Sequence, residues 1–428
     1  MTETKNENTV HEGLARELIL ALKEAPSRSG SPLLALSLLQ DAVRERATDV
    51  HIEARNGKVA AIRFRIDGAL LDVAVLPRTT VDPLENQLKV LAQLDPSPAT
   101  RPAKARWTAE IDDREIDVRL TLVPVLIGER LNLRLFDPKL FNSATDNLSV
   151  DPQRIDPLMR CLRQREGMLL VSGPTGSGKT TTVYALMERL AEQPRSVVAV
   201  EDPPEFQMPG ISQVAVDDEH GLSFPEAIRA ALRMDPDYLL VGELRDEASM
   251  QAAVEAATTG CVVFGTVHAR DAVGTVTSLR KWNCHDYELS TLLSVVVAQR
   301  LVRKLCDHCR RQDEPDDSER SWFELVGMET PVKVWRATGC PLCYEQGYRG
   351  RIPIFETWTI DEADRKRLLD GIDERELRRH LSKRGHTFLL ADAMKKIADG
   401  ETDITEIRTI GGGGPGMQAL KSARSVIV

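Results

Sequence analysis

The chain has 428 residues, with 56 basic and 65 acidic side chains, a formal net charge of −9 and a sequence pI near 5.6. At ~100–200 residues per domain this length predicts two to four domains. The acidic balance and 4% aromatic content argue against a coat for nucleic acid. No run approaches the ~18–20 apolar residues of a membrane span, and the start, MTETKNENTVHEG, is too polar for a signal peptide. Seven cysteines are too few for a disulfide scaffold, and four of them form two CxxC pairs, which suits metal in a reducing, cytoplasmic setting.

Residues 1–30 read as a polar leader with one amphipathic stretch at 14–22. Ser31-Pro32 opens an apolar-periodic helix through Val43. From Asp49 short alternating runs follow, VHIEA, KVAAIRFRIDG and ALLDVAVL, punctuated by Asn56-Gly57 and Asp67-Gly68 as hairpin turns. Further strands are expected at 107–111, 114–123 and 130–136. The reading is a small α+β domain over 31–141, then a polar linker at 142–151.

From residue 152 the period changes, and a nucleotide-binding α/β domain is expected through 305. Gly167–Val171 is a short apolar strand, and Val183, Leu186, Met187 and Leu190 mark a helix at i, i+3, i+4, i+7. Strands at 196–201, 238–241 and 261–266 alternate with helices at 223–233 (capping box Ser223-Phe-Pro-Glu226) and 246–259. Such alternation means a parallel sheet covered by helices. A tetracysteine element is expected at 306–350, with its acidic run 313–319 a solvated loop, then a C-terminal helical region at 351–410. GGGGPG opens a flexible tail over 411–428.

GPTGSGKT at 173–180 fits G-x-x-x-x-G-K-[ST] after a strand and before a helix. In that setting the loop of Gly173, Pro174, Thr175, Gly176, Ser177 and Gly178 cradles phosphate, its glycines letting the backbone N–H groups (Pro174 has none) turn inward. Lys179 brings a charge to the β/γ oxygens and Thr180 a hydroxyl to Mg²⁺, with Thr181 next in the helix. Hydrolysis also needs a carboxylate at a neighbouring strand end. PDYLLVGELRD offers Glu243, and VAVEDPPEF offers Glu201, Asp202 and Glu205, so Glu201 and Glu243 compete for the role of base. His268 stands beyond a third strand, where it can sense phosphate or serve structure alone.

Cys306-x₂-Cys309 and Cys340-x₂-Cys343 can each grip one edge of a tetrahedral Zn²⁺. The count of four thiols favours zinc over redox chemistry. Cys161 and Cys284 read as ordinary thiols. Six arginines of the strand-rich domain, Arg63, Arg65, Arg106, Arg119, Arg130 and Arg134, are either ion-paired surface or phosphate-directed fingers, and spacing does not decide between them.

The ordered series ATDVHIEA, RFRIDG, VRLTLVPVLIGERLNLRLFD, GPTGSGKTTT, VEDPPEF, LRMDPDYLLVGELRD, TGCVVFGTVHARDA, AQRLVRKLC, the paired CxxC and GYRGRIPIFE resembles the type II secretion and type IV pilus assembly ATPases of the general secretory pathway protein E type. The resemblance runs from about Pro32 to Ile410. It implies a RecA-like core joined flexibly to an N-terminal domain, with nucleotide between them, in a homohexameric ring that uses ATP, Mg²⁺ and Zn²⁺. It implies that Lys179 and Thr180 hold phosphate and Mg²⁺, that Glu243 is the Walker B glutamate, and that Glu201 and Asp202 form the acidic box. His268 falls in the histidine box, Arg119 and Arg134 resemble the arginines that close on nucleotide, and the four cysteines resemble the zinc element of assembly motors. Partners implied are a polytopic inner-membrane platform protein and a docking protein at its cytoplasmic face, with peripheral membrane association and no nucleic acid. A nucleic-acid translocase on the same core, or a nucleotide-gated scaffold that does not hydrolyse, are the alternatives. The chain departs from the family pattern at Gly260-Cys261, where Gly-His is usual, at PAKAR over 102–106, and in carrying only some thirty residues before the resemblance.

Overall fold

A computed structural model describes residues 9–10, 13–24, 33–139, 158, 167–192 and 194–410. The expected linker at 142–151, the tail at 411–428 and Cys161 lie outside the described residues. The chain divides into two compact units, Met1–Asn142 and Ser143–Val428.

In the first unit the elements run β1 (Thr9–Val10), α1 (Arg16–Glu24), α2 (Leu33–Arg44), β2 (Asp49–Ala54), β3 (Val59–Ile66), β4 (Ala69–Pro77), α3 (Arg78–Leu91), β5 (Ala103–Ile111), β6 (Arg114–Pro124) and β7 (Glu129–Phe136). The strands form one antiparallel sheet in the order β1-β4-β3-β2-β7-β6-β5. Asp67 and Gly68 turn β3 into β4 with φ of 51° and 87°, the conformation a tight type I′ hairpin requires. Between β2 and β3 the Asn56 side chain accepts from the N–H groups of Lys58 and Val59, at 2.8 and 2.9 Å. Alternation then sends Val50, Ile52, Ile62, Phe64, Leu120 and Leu133 inward, where they are buried.

Two features of this unit differ from the sequence expectation. Residues 9–10 and 13–24 are no free leader: β1 pairs with β4, and Leu14 and Leu18 are buried. The buried Asp41 carboxylate of α2 accepts from the N–H groups of Glu17 and Leu18, both at 2.9 Å, and so caps α1. The second is α3, whose polar composition and internal Pro83 hid its helical period. It buries Glu85 and Lys89, and the Lys89 ammonium meets Glu129 of β7 at 2.5 Å.

Burial pushes the Glu85 carboxyl up to about 7 against the pull of Arg78. A carboxyl raised on folding contributes stability that is complete below its unfolded value of 4.5 and is lost as pH rises through about 7. Unfolding free energy is therefore expected to fall by on the order of 3 kcal/mol across that window, and Glu85→Gln to flatten the slope, as read by urea unfolding at stepped pH.

In the second unit the order is β8 (Met168–Ser172), α4 (Lys179–Ala191), β9 (Val197–Glu201), β10 (Ser212–Ala215), α5 (Phe224–Leu232), β11 (Tyr238–Leu244), α6 (Glu247–Thr258), β12 (Val262–Val267), α7 (Ala272–Lys281), α8 (Asp286–Leu292), β13 (Leu293–Leu305), β14 (Arg311–Asp313), α9 (Asp317–Leu325), β15 (Val334–Arg336), β16 (Tyr348–Thr359), α10 (Glu362–Leu369), α11 (Glu374–Lys383), α12 (Leu389–Ala398) and α13 (Ile404–Ile410). Seven strands stand in the order β10-β9-β11-β12-β8-β13-β16, and all neighbours are parallel except β13 and β16. Strands β8, β9 and β12 are buried along their whole length, which is why they read as continuous apolar runs. The expected capping box at Ser223 and Glu226 is formed.

Three segments fall differently from the sequence reading. Strand β16 straddles the expected start of the C-terminal helical region at 351 and belongs to the core sheet, antiparallel to β13. The acidic run is no solvated loop: Asp313 lies in β14, Asp316 caps α9 through the Glu319 N–H, and Asp317 and Glu319 fill its first turn. Acidic residues favour a helix N-terminus, and Phe323 anchors that helix in a small core with Val334 and Ile397. Strand β11 runs on to Leu244, so Glu243 stands within the strand.

Candidate functional site

Strand β8 ends at Ser172, and the chain turns through Gly173–Gly178 into α4. Gly176 and Gly178 have φ of 77° and 86°, a region side-chain-bearing residues avoid. At Gly173 the constraint is space: a Cβ there would lie 2.4 Å from Ser177 Oγ and 2.5 Å from the Gln299 carbonyl oxygen. Pro174, Thr175 and Gly176 are exposed, Ser177 is buried, and Thr180 and Thr181 are half-buried on the first turn of α4. Lys179 folds back over the loop and donates to the carbonyls of Gly173 at 2.8 Å and Pro174 at 3.2 Å. Burial pulls its ammonium below the usual lysine range, opposed by the field of Glu243.

The two competing glutamates occupy different environments. Glu201, at the end of β9, is 5% exposed. It accepts from the Tyr184 hydroxyl and from Gln213 Nε2, the latter at 3.2 Å. Burial pushes its carboxyl upward. Glu243 stands one strand over, at a register shift of β11 against β12. Gly242 permits this, because a Cβ there would press on Val200 O at 3.1 Å, and Thr266 Oγ1 donates to its carbonyl. The Glu243 carboxylate is bracketed: His268 Nε2 lies 2.7 Å from one oxygen, and Arg245 Nε donates to the other at 2.7 Å. Arg245 Nη1 also reaches Asp202 Oδ2 at 3.2 Å. Glu243, His268, Arg245 and Asp202 thus form one connected group at the carboxyl ends of β9, β11 and β12, where a doubly wound sheet binds its ligand.

Tyr184, Gln213, Arg245 and Gln299 join this site without having stood out in the sequence. A polar residue inside an otherwise apolar strand was the available signal for Gln299.

The cysteine pairs converge. Cys306 follows β13 directly, and Cys340–Cys343 forms a tight turn ahead of β16. Cys306 Sγ lies 3.9 Å from Cys340 Sγ, Cys309 Sγ 3.8 Å from Cys343 Sγ, and the Cys340 and Cys343 sulfurs are 3.7 Å apart. Four thiolates at ~2.3 Å around a tetrahedral ion stand ~3.8 Å apart, so the donor set fits a metal, with all four atoms within 4.8 Å of one another. The backbone N–H groups of Cys340 and Gly347 donate to Cys343 Sγ, both at 3.2 Å, a contact that suits a thiolate ligand. Cys261 and Cys284 are buried and pushed up to about 12, hence unreactive.

Arg119 and Arg134 belong to the other unit. There the register places all six candidate arginines on one face of the sheet. Three carboxylates of that face each serve two of them: Asp49 holds Arg65 and Arg134, Glu53 holds Arg63 and Arg130, and Asp117 holds Arg106 and Arg119. Between them His51 is 8% exposed, with neither ring nitrogen hydrogen-bonded. The arginines are therefore ion-paired.

A largely parallel sheet with a phosphate loop after the inner strand β8, and carboxylates at the ends of β9 and β11 in the same sheet, defines a RecA-like P-loop nucleoside triphosphatase. Residues 28–409 match the family described as type II/IV secretion system protein, and the chain belongs to that family and is an ATPase of it. It is 37% identical over 383 residues to the type II secretion system protein HxcR of Pseudomonas aeruginosa, covering 89% of this chain and 78% of that one. It is 36% identical over 400 residues to the type II secretion system ATPase E of Vibrio cholerae, covering 93% and 79%. The structure of the Legionella pneumophila ATPase DotB shares the fold, with a TM-score of 0.64 at 21% identity over 90% of this chain and 96% of that one. Among the described residues no helix is long and apolar enough to cross a membrane.

Gly173→Ala is expected to weaken ATP binding at least about tenfold, since the methyl group forces the loop to move by about an ångström. Equilibrium titration with a fluorescent ATP analogue measures this, with circular dichroism to show the fold retained.

Proposed function

We propose that the chain is the subunit of a homohexameric, ATP-hydrolysing motor that powers assembly of pilin or pseudopilin fibres. It would work at the cytoplasmic face of the inner membrane, through a polytopic platform protein and a docking protein. The observation that carries the hydrolytic half is Glu243, held beside the phosphate loop by His268 and Arg245 while Glu201 is committed to buried partners. The fibre-assembly half rests on the family and on the secretion proteins the chain is similar to.

In this reading Lys179 exchanges the Gly173 and Pro174 carbonyls for the β/γ oxygens of the nucleotide. Thr180 holds Mg²⁺, which when bound neutralises charge on the phosphates. Glu243 orients the attacking water and takes its proton as the bond from the γ-phosphorus to the bridging oxygen breaks, giving ADP and phosphate. His268 keeps the carboxylate aimed and registers its release. Asp202 steadies Arg245, and Glu201 ties the end of β9 to Tyr184 and Gln213. Arg119 and Arg134 bring guanidinium charge to the charge that develops on phosphate. Cys306, Cys309, Cys340 and Cys343 hold Zn²⁺ as a structural crosslink that needs no open coordination position.

Glu243→Gln is expected to lower kcat by roughly 10²–10⁴-fold, the range for loss of a general base, with ATP binding kept, whereas Lys179→Ala loses binding. Captured from native membranes, the Glu243→Gln protein should enrich a polytopic membrane protein and pilin-like subunits that Lys179→Ala does not. Identical partners for both variants, or DNA-stimulated turnover, would refute the motor reading.

One zinc per chain is expected by elemental analysis of the purified protein. Cys343→Ser should lower that occupancy and the melting temperature together; metal-free protein with parental stability refutes the structural zinc.

A further inference from the structure

Gln299 is 1% exposed on a strand whose neighbours Val297 and Ala298 are equally buried. Burying an amide is unfavourable unless it is hydrogen-bonded, and an apolar side chain would fill the same space without that cost. Its contacts show what the amide is for. Oε1 accepts from Thr182 Oγ1 of α4 at 2.7 Å, and Thr182 is itself buried. Nε2 stands against Gly178, where a Cβ would come within 2.7 Å of it, and the backbone carbonyl stands against Gly173 at the 2.5 Å already described. Arg300 Nη1 donates to that same carbonyl at 3.2 Å. The register explains the fit: Ala298 is opposite Ser172, so Gln299 faces the point at which β8 leaves the sheet.

We propose that Gln299 is a positioning residue of the phosphate loop: through Gly173, Gly178 and Thr182 it fixes both ends of the loop and the first turns of α4 in the shape that receives phosphate. It acts through the loop and touches no reacting atom. The inference rests on reading 173–180 as the nucleotide cradle.

The test is equilibrium binding of a fluorescent ATP analogue with Mg²⁺ to the full chain, to Gln299→Leu, Thr182→Val, Thr182→Ser and the double variant Gln299→Leu/Thr182→Val. Each of Gln299→Leu and Thr182→Val is expected to bind about five- to tenfold more weakly, the scale of one buried neutral hydrogen bond. The double variant should be no worse than the weaker single, because both remove the same contact. Thr182→Ser keeps the donor and should restore parental affinity. Melting temperatures are read in parallel, and if Gln299→Leu fails to fold, the near-isosteric Thr182→Val with its Thr182→Ser rescue decides alone. Parental affinity in the variants, with or without a lowered melting temperature, marks a merely structural residue and overturns the proposal, as do additive losses in the double variant. Absence of binding by the parent chain counts instead against the cradle itself, and the proposal falls with it.

Discussion

The close approach of Gly173 to the Gln299 carbonyl is the constraint on which the rest of the site depends. A phosphate loop works by aiming backbone N–H groups inward, and it can do so only if no side chain stands between it and the sheet. Gly173 meets that condition at the start of the loop and Gly178 at its end, both against one residue of β13. The parallel register of β8 with β13 and β12 then fixes where α4 begins and where Lys179 emerges. Lys179 donates to the carbonyls of Gly173 and Pro174 in that same loop.

The carboxyl ends of β9, β11 and β12 supply the remaining groups, and their environments divide the labour. Glu201 is drawn inward to Tyr184 and Gln213, where burial penalises its charge. Glu243 is held outward by the shift in β11 that Gly242 allows, its two oxygens taken by His268 and Arg245. A carboxylate so bracketed has its direction set. The arginine face of the first unit shows the same economy of pairing, with three carboxylates each shared by two guanidiniums.

Beyond the nucleotide site, β13 and β16 form a long antiparallel ribbon, and the cysteine element interrupts the chain between them. Leu305 pairs with Tyr348, so the cluster sits at the end of that ribbon rather than on a separate stalk. The geometry of the four sulfurs follows from this: β13 delivers Cys306, and the turn at Cys340–Cys343 is closed by N–H groups donating to Cys343. The C-terminal helices complete the arrangement. Arg378 of α11 bonds Asp271, which caps α7 just beyond His268, and Arg303 of β13 pairs with Glu406 of α13.

Local chemistry alone determined a good deal of this protein. The phosphate loop, the alternation of buried strands and helices, the Asp67-Gly68 hairpin, the Ser223 cap and the two CxxC pairs are legible because each depends on residues adjacent in the chain. What tertiary structure decided depends on partners far away. The 14–22 stretch joins the first unit through the Asp41 cap and the burial of Leu14 and Leu18, and α3 is a helix despite Pro83 because its buried residues face the sheet. Strand β16 joins the core through pairing with residues some fifty positions earlier, which no local pattern records. The contest between Glu201 and Glu243 was open in sequence, since both end buried strands. Only the placement of Tyr184, Gln213, His268 and Arg245 separates a carboxylate committed to the interior from one turned towards the phosphate loop.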